Sequence, residues 1–237
     1  MLLLAIDTAT RRVGVALGSD AGVLGAIELG GPASGGAPQH AERLAPAIRD
    51  VCEQVGVRMP SLSAIAVGIG PGMFTGLRVG VTTAKALGLA LDIPLIPVPS
   101  LDLIAYPLRH ADSALVVPTI DARRHEIYSA IYRPVPGGVQ RVSDYTISTP
   151  DDLTAEISAR GEAALLCGDG ALRFRGDFED HDLIELAGPG FATPNLTALL
   201  ELGAARFARE QFQTAASVVP MYLRKSDAEL ASVGGGS

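Results

Sequence analysis

The feature that most constrains the fold is a short internal repetition, around which the same order of elements is predicted twice. Residues 6–13 read Ile-Asp-Thr-Ala-Thr-Arg-Arg-Val, and residues 120–127 read Ile-Asp-Ala-Arg-Arg-His-Glu-Ile. Each segment is an apolar strand that ends in aspartate, followed by a polar turn with paired arginines and another strand. The shared order of strands, helix and glycine-terminated strand around both segments argues against a chance match of so short a motif.

Two similar halves predict an α/β protein built from two duplicated halves of the actin-like ATPase superfold, the architecture of actin, hexokinase and Hsp70. In that arrangement Asp7 and Asp121 would face a shared cleft, where a nucleotide lies in proteins of this fold. We place the N-terminal half at residues 1–100 and the C-terminal half at residues 101–225. Residues 226–237 are predicted to be a flexible tail.

The hydrophobic pattern predicts the elements of each half. In the first half we expect strands over residues 2–6, 13–17, 23–29, 64–69 and 95–98, and helices over 40–55, 75–91 and 101–108, with Thr75 as the cap of the second helix and a loop over 30–38. In the second half we expect strands over residues 114–120, 127–132, 139–147 and 164–167, and helices over 150–160 and 194–213.

Composition indicates a globular, cytoplasmic protein. Hydrophobic residues make up 48% of the chain and charged residues 19%, which excludes a disordered polypeptide. The net charge of −7 argues against unaided binding to a nucleic-acid backbone. The longest charge-free run, residues 59–77, is interrupted by Pro71 and several glycines, so no membrane span is predicted. The N-terminus lacks a basic leader, and Cys52 and Cys167 are expected to be buried, reduced thiols.

A glycine-rich segment, Gly68 to Gly76, joins a predicted strand to a predicted helix. Free backbone N–H groups at such a junction can bind an anion. The segment is not a P-loop, because no Gly-Lys-Ser/Thr sequence follows, and we favour a tight turn over a phosphate site.

Small residues recur at every fourth position of the helix after this segment. Glycines inside a helix are unfavourable by roughly 1 kcal/mol each relative to alanine, so we expect a neighbour to approach this ridge closely. The pattern leaves open whether that neighbour belongs to the same chain or to another protein. The ridge consists of Gly76, Gly80, Ala84 and Gly88.

Candidate catalytic residues are few. The chain has no His-Glu-x-x-His, Cys-x-x-Cys or Gly-x-Ser-x-Gly motif, and its histidines are isolated, so no metal site is predicted. Strand-end aspartates could hold a nucleotide and its metal, although such residues more often form turns. This candidate nucleotide set is Asp7, Thr8, Asp121, Gly168 and Asp169. The paired arginines are expected to be solvent-exposed residues of turns.

Six segments together resemble the TsaB (YeaZ) family, in order and across nearly the whole chain. The block from Gly70 to Arg78 is the most specific of them, although Met73 stands where the family usually has serine. The segments are residues 4–10, 40–44, 70–78, 121–123, 168–170 and 220–224.

The resemblance implies a subunit without a catalytic centre. The related catalytic subunit, TsaD, binds a metal through a His-x-x-x-His pair, and those positions correspond to Ser100 and Ile104 here. Isoleucine cannot bind a metal, so the resemblance implies no cofactor of its own, with ATP, ADP or a metal only in a complex. The complex transfers threonylcarbamoyl to adenosine 37 of tRNAs that read codons beginning with A.

The resemblance also implies the partners. A TsaD-type subunit pairs with the N-terminal helices, a TsaE-type ATPase joins them, homodimers form in their absence, and tRNA is bound only through the complex. The ridge and the first helix would then be the interface. Its expected residues are His40, Arg43, Leu44, Ala47, Gly76, Leu77, Gly80, Val81, Ala84 and Gly88.

Two other functions compete with this interpretation. One is a nucleotide-dependent kinase or ATPase that uses Asp7, Asp121 and the Gly168-Asp169-Gly170 turn. The other is a standalone tRNA-binding module, which the acidic composition disfavours. A protease is not supported, since no nucleophile or metal site is apparent.

Overall fold

The computed structural model describes residues 1–19, 21–30 and 39–224; the predicted tail and most of the predicted loop lie outside these ranges. The first half follows the expected order of elements. It comprises β1 (Leu2–Asp7), β2 (Val13–Ser19), β3 (Gly22–Leu29), α1 (His40–Val55), β4 (Ala64–Gly68), α2 (Phe74–Leu91), β5 (Leu95–Val98) and α3 (Ser100–Ala105).

The second half repeats this order with one added hairpin. It comprises β6 (Leu115–Arg123), β7 (Glu126–Ser129), β8 (Tyr132–Val135), β9 (Gly138–Arg141), β10 (Thr146–Ser148), α4 (Pro150–Arg160), β11 (Ala164–Cys167), α5 (Asp169–Arg173), α6 (Arg175–Phe178), β12 (Ile184–Leu186) and α7 (Leu196–Ala208).

The two sheets have the same topology. The first has the strand order β3-β2-β1-β4-β5, and the second has the order β10-β7-β6-β11-β12, with β8 and β9 attached at β6. In both sheets the first three strands are antiparallel and the last three are parallel. The predicted α/β fold, with two duplicated halves of the actin-like ATPase superfold, is confirmed.

The last helix of each half packs on the sheet of the other half. Helix α3 lies against β6, where Leu101 and Ile104 share a core with Val116. Helix α7 lies against the first sheet, where Leu199 joins a core with Leu3. The two halves are therefore interlocked, although the boundary at residue 100 stays a prediction.

Some predicted element bounds are wrong. The strands expected over 127–132 and 139–147 each break in two, because the chain leaves β7 to form the β8–β9 hairpin, whose turn contains Gly137 at a φ of 84°. Helix α2 begins at Phe74 with Met73, not Thr75, as its N-cap residue. Helix α7 begins after Asn195, whose side chain accepts a hydrogen bond from the backbone N–H of Ala198, and it ends at Ala208.

Candidate functional site

The glycine-rich segment lies directly on the turn that follows β1. The backbone N–H of Met73 donates a hydrogen bond to the carbonyl oxygen of Ala9 over 2.7 Å. A Cβ atom added at Gly72 would overlap that same carbonyl group, so only glycine permits this approach. The segment therefore fills the space at the end of β1 with backbone of the same chain.

Thr8 joins this turn to helix α2. Its buried hydroxyl donates a hydrogen bond to the carbonyl oxygen of Gly76 over 2.8 Å. Added Cβ atoms at Gly76 and Gly80 would overlap the carbonyl oxygen and the hydroxyl of Thr8 respectively. The neighbour that approaches the ridge of α2 is therefore Thr8, in the turn after β1 of the same chain.

The expected role of the ridge as a face for another protein stays a prediction, and in this conformation its residues are buried within this chain. Ala84 is fully buried, and Gly88 lies against Leu95. Burial extends to the rest of the expected interface: Leu77, Val81, His40, Leu44 and Ala47 are all buried, whereas Arg43 is exposed.

The opposite faces of the two helices are exposed. Helices α1 and α2 contact each other, and residues four apart along each helix form an exposed stripe. Leu89 is 69% exposed, which is a large value for an apolar side chain. We call this surface the outer α1–α2 face; it contains Ala45, Arg49, Thr82, Ala86 and Leu89.

His40 fixes the start of α1 against the same turn. The side chain is buried, and its Nε2 atom lies 2.8 Å from the carbonyl oxygen of Thr10. Burial lowers the pKa of His40, an effect that the contact with Thr10 partly offsets. His40 therefore acts as a structural contact between α1, α2 and the turn after β1.

Asp7, the strand-end carboxylate of the first half, is enclosed. It accepts hydrogen bonds from the backbone N–H of Ala9 over 3.1 Å and from the Ser100 hydroxyl over 3.0 Å. A Cβ atom added at Gly68 would overlap the carboxylate. Burial raises the pKa of Asp7 to about 6, although these hydrogen bonds and the charge of Arg12 act in the opposite direction.

The second half presents its carboxylates differently. Asp169 accepts a hydrogen bond from the backbone N–H of Asp121 over 3.0 Å, and burial raises the pKa of Asp169 to about 6. The carboxylate of Asp121 pairs with Arg173 at 3.1 Å. Gly168 has a φ of 100°, and a Cβ atom there would overlap the carbonyl group of Thr119.

A cavity of about 200 Å³ lies in the front cleft between the halves. Its walls are residues 72–75, 121–124 and 221–224, together with Tyr128. Of the candidate nucleotide set, Asp121 lines this cavity, whereas Asp7, Thr8, Gly168 and Asp169 do not. The two strand-end carboxylates, which the repetition placed at one cleft, therefore have different surroundings.

Residues 221–224 form the remaining wall of the cleft. Apart from the family resemblance, the sequence predicted no role for them. The Tyr222 ring lies 4.8 Å from that of Phe74, and the Arg78 guanidinium lies 4.0 Å from the Phe74 ring centre. Arg224 donates a hydrogen bond to the carbonyl oxygen of Ala122 and forms an ion pair with Glu126. The available signal was an aromatic residue, Tyr222, and a basic residue, Arg224, close together in residues 220–224.

Ser100 and Ile104, the two positions that the family resemblance singled out, are both buried. Ser100 is used in the hydrogen bond to Asp7, and Ile104 packs in the second core. In the described part of the chain, no group of three or more His, Cys, Asp or Glu side chains is placed to hold a metal ion. Nor does any helix within those residues combine the length and the apolar character that a membrane span requires.

The duplicated sheets and the cleft between them define a protein of the actin-like ATPase class. A family model described as "TsaD: tRNA N6-adenosine threonylcarbamoyltransferase" matches residues 34–236. Because this match covers most of the chain, the chain belongs to that family.

Three known proteins add detail. The "tRNA threonylcarbamoyladenosine biosynthesis protein TsaB" of Escherichia coli is 36% identical over 141 residues, or 59% of this chain and 58% of that protein. The protein of the same name in Haemophilus influenzae is 28% identical over 235 residues, or 94% of both. The solved structure of YeaZ from Pseudomonas aeruginosa has a TM-score of 0.77 at 28% identity and covers 94% of this chain and 99% of that one.

These similarities confirm the resemblance to the TsaB (YeaZ) group, which the residues of the sequence had indicated. The matched part nevertheless spans between 40% and 59% of the length of three curated relatives, two of which are TsaB proteins.

Proposed function

We propose that this chain is a non-catalytic, cytoplasmic subunit required for N6-threonylcarbamoylation of adenosine 37 in tRNAs that read codons beginning with A. It would act by pairing with a TsaD-type catalytic subunit, with a TsaE-type ATPase joining the complex. The observation that carries the proposal is the similarity to TsaB proteins, which extends over 94% of both chains for the Haemophilus protein.

The surroundings of the strand-end residues support a partner role over a kinase or ATPase role. The Asp7 carboxylate is enclosed by Gly68 and Ser100, and the Thr8 hydroxyl is used to hold α2. In this conformation neither side chain is free to contact a nucleotide phosphate or its metal. We propose that ATP, ADP or a metal enters only in the complex.

The outer α1–α2 face is the proposed pairing surface, in place of the buried ridge. Leu89 supplies an exposed apolar side chain, and the small side chains of Ala45 and Ala86 allow another helix to approach closely. Arg43 and Arg49 are exposed on α1 and supply charge beside this apolar stripe. The proposed occupant is the TsaD-type subunit, and a second copy of this chain occupies the face when that subunit is absent.

A net charge of −7 supports recruitment of tRNA through the complex rather than by this chain alone.

Reconstitution tests the function directly. The TsaD-type and TsaE-type proteins of the same organism are supplied with tRNA and threonylcarbamoyl-adenylate, and modified adenosine is measured by mass spectrometry of the released nucleosides. Modification is expected only when this chain is added.

The variant Leu89→Asp tests the pairing surface. It is expected to abolish association with the TsaD-type protein in size-exclusion chromatography with light scattering, and to abolish modification, because it places a charge in an apolar contact. Its melting temperature should stay that of the wild type, since Leu89 is exposed. The control Leu24→Asp makes the same change at an exposed leucine of β3.

Equal modification with and without this chain would contradict the proposal. Metal-dependent ATP turnover by the pure chain alone would favour the kinase or ATPase alternative instead. Normal pairing of Leu89→Asp, together with chain-dependent modification, would keep the function and move the pairing surface elsewhere.

A further inference from the structure

A second, larger cavity lies away from the front cleft and shares no lining residue with it. Its volume is about 430 Å³, and its walls are the C-terminal end of α7, the β8–β9 hairpin and the segment around α3. Pockets that bind small organic molecules usually measure roughly 300–1,000 Å³. The second cavity therefore has the size of a small-molecule site.

The lining of the second cavity carries an excess of positive charge. Arg141, Arg206 and Arg209 line it, against the single carboxylate of Asp102. That carboxylate already accepts hydrogen bonds from the hydroxyls of Tyr132 over 2.6 Å and Tyr145 over 2.8 Å. Its Oδ2 atom also lies 3.6 Å from an Nη atom of Arg206. Asp102 thus neutralises one of the three arginines.

The three guanidinium groups retain donors for a ligand. Arg206 donates to the carbonyl oxygen of Pro97, and Arg141 donates to that of Ser143 and lies 3.8 Å from the exposed Asp144. Each guanidinium has five N–H bonds, so these contacts leave several unused. The exposed side chain of Arg209 has no hydrogen bond or ion pair with any residue in the described ranges.

We propose that the second cavity binds a phosphorylated small molecule, with its phosphate group held by Arg141, Arg206 and Arg209. Planar guanidinium groups match phosphate oxygens in bidentate geometry, and such charge-assisted hydrogen bonds are the strong ones. The cavity is too large for inorganic phosphate alone. Tyr106 and Val139 provide an aromatic and an apolar wall for the organic part of the ligand.

Ligand binding at this site would join elements that pack on the two different sheets. Helix α7 packs on the first sheet, whereas the β8–β9 hairpin belongs to the second sheet. A ligand that contacts both walls therefore stabilises the interlocked arrangement, and the melting temperature rises with ligand concentration.

Titration calorimetry and thermal melting of the full chain test the proposal, with pyrophosphate, ribose 5-phosphate and AMP as probes. At least one of the organic phosphates is expected to bind more tightly than pyrophosphate and to raise the melting temperature. Arg209→Gln should weaken that binding by at least about tenfold through the loss of a charged hydrogen bond. The ligand-free melting temperature should not change, because the Arg209 side chain is exposed.

Two control variants locate the site. Arg160→Gln makes the same chemical change on α4, away from the second cavity, and should bind the probe as the wild type does. Arg224→Gln changes the front cleft, and it should also retain binding. Arg141→Gln is expected to weaken binding as Arg209→Gln does.

The proposal is overturned if none of the probes binds at millimolar concentration, or if Arg224→Gln abolishes binding that Arg209→Gln leaves intact. The second result would place the ligand in the front cleft. Neither outcome depends on tRNA modification, so this site and the proposed function are tested separately.

Discussion

At the scale of single residues, the contact of Thr8 with α2 determines how the first half is packed. The Thr8 hydroxyl and carbonyl oxygen occupy the positions that Cβ atoms at Gly80 and Gly76 would take. Glycine is unfavourable inside a helix, but no larger residue fits at these two positions. The backbone of Thr8 and its buried hydrogen bond to Gly76 occupy the space that a side chain would need. The ridge is a packing feature of one chain.

We expect Gly80→Ala to lower the free energy of unfolding by about 1–3 kcal/mol, because overlap with Thr8 outweighs the gain in helix propensity. Urea unfolding monitored by circular dichroism measures the change. The control is Gly176→Ala in α6, where an added Cβ meets no atom within 4 Å and stability should be unchanged or slightly higher. A Gly80→Ala variant as stable as the wild type would show that α2 can move away from β1.

At the scale of elements, α3 packs on the second sheet and α7 packs on the first, which joins the halves. Asp102 of α3 contacts several of the elements at this junction. This residue of α3 accepts hydrogen bonds from Tyr132 of β8 and from Tyr145 before β10, and it lies near Arg206 of α7. Burial is the main cause that raises the pKa of both tyrosines well above the usual value, so both hydroxyls are donors at neutral pH.

Tyr132→Phe is expected to lower the free energy of unfolding by about 1.5–3 kcal/mol, because it removes a partly buried hydrogen bond from a buried tyrosine to a carboxylate. Thermal and urea unfolding both measure the change. Tyr222→Phe is the matched control: its hydroxyl accepts an exposed hydrogen bond from Arg78 at 3.3 Å, and its loss should change stability by less than about 0.5 kcal/mol. Equal effects of the two variants would contradict a stabilising role for the Asp102 contacts.

At the scale of the whole molecule, each half contains one carboxylate whose pKa burial raises to about 6: Asp7 in the first half, which is buried, and Asp169 in the second, which is partly exposed. Both ordinarily titrate near 3.8. Between these values the folded chain binds more protons than the unfolded chain. These two groups therefore lower the free energy of unfolding as pH rises from about 4 through 6, and their contribution is almost fully lost about one pH unit above their folded pKa.

In the variant Asp7→Asn, the free energy of unfolding is expected to decrease less between about pH 4 and 6, by on the order of 2 kcal/mol. The reason is that the amide of asparagine does not ionise. Urea unfolding at a series of pH values from 4 to 7 measures the slope. Asp180→Asn, an exposed aspartate, serves as the control and should follow the wild type. Parallel profiles for wild type and Asp7→Asn would mean that burial does not raise the pKa of Asp7.

The site could be predicted only in part from the sequence. The repetition correctly indicated that Asp121 lies at the cleft, since a strand that ends in aspartate delivers the side chain to the edge of the sheet. It could not show that Ser100, 93 positions along the chain, hydrogen-bonds to Asp7. Nor could periodicity show that the β8–β9 hairpin and α7 form a second cavity, because its walls are far apart in sequence.

The sequence by itself determined the two-halved α/β fold, because the internal repetition and the hydrophobic periods are local properties that each segment carries with it. It also determined that something lies close to Gly76 and Gly80. Only the tertiary structure decided that this neighbour is Thr8 and that the exposed residues of α2 lie on the other side of the helix. The physical reason is that helical period fixes which residues share a face, whereas the contact made by that face depends on long-range packing.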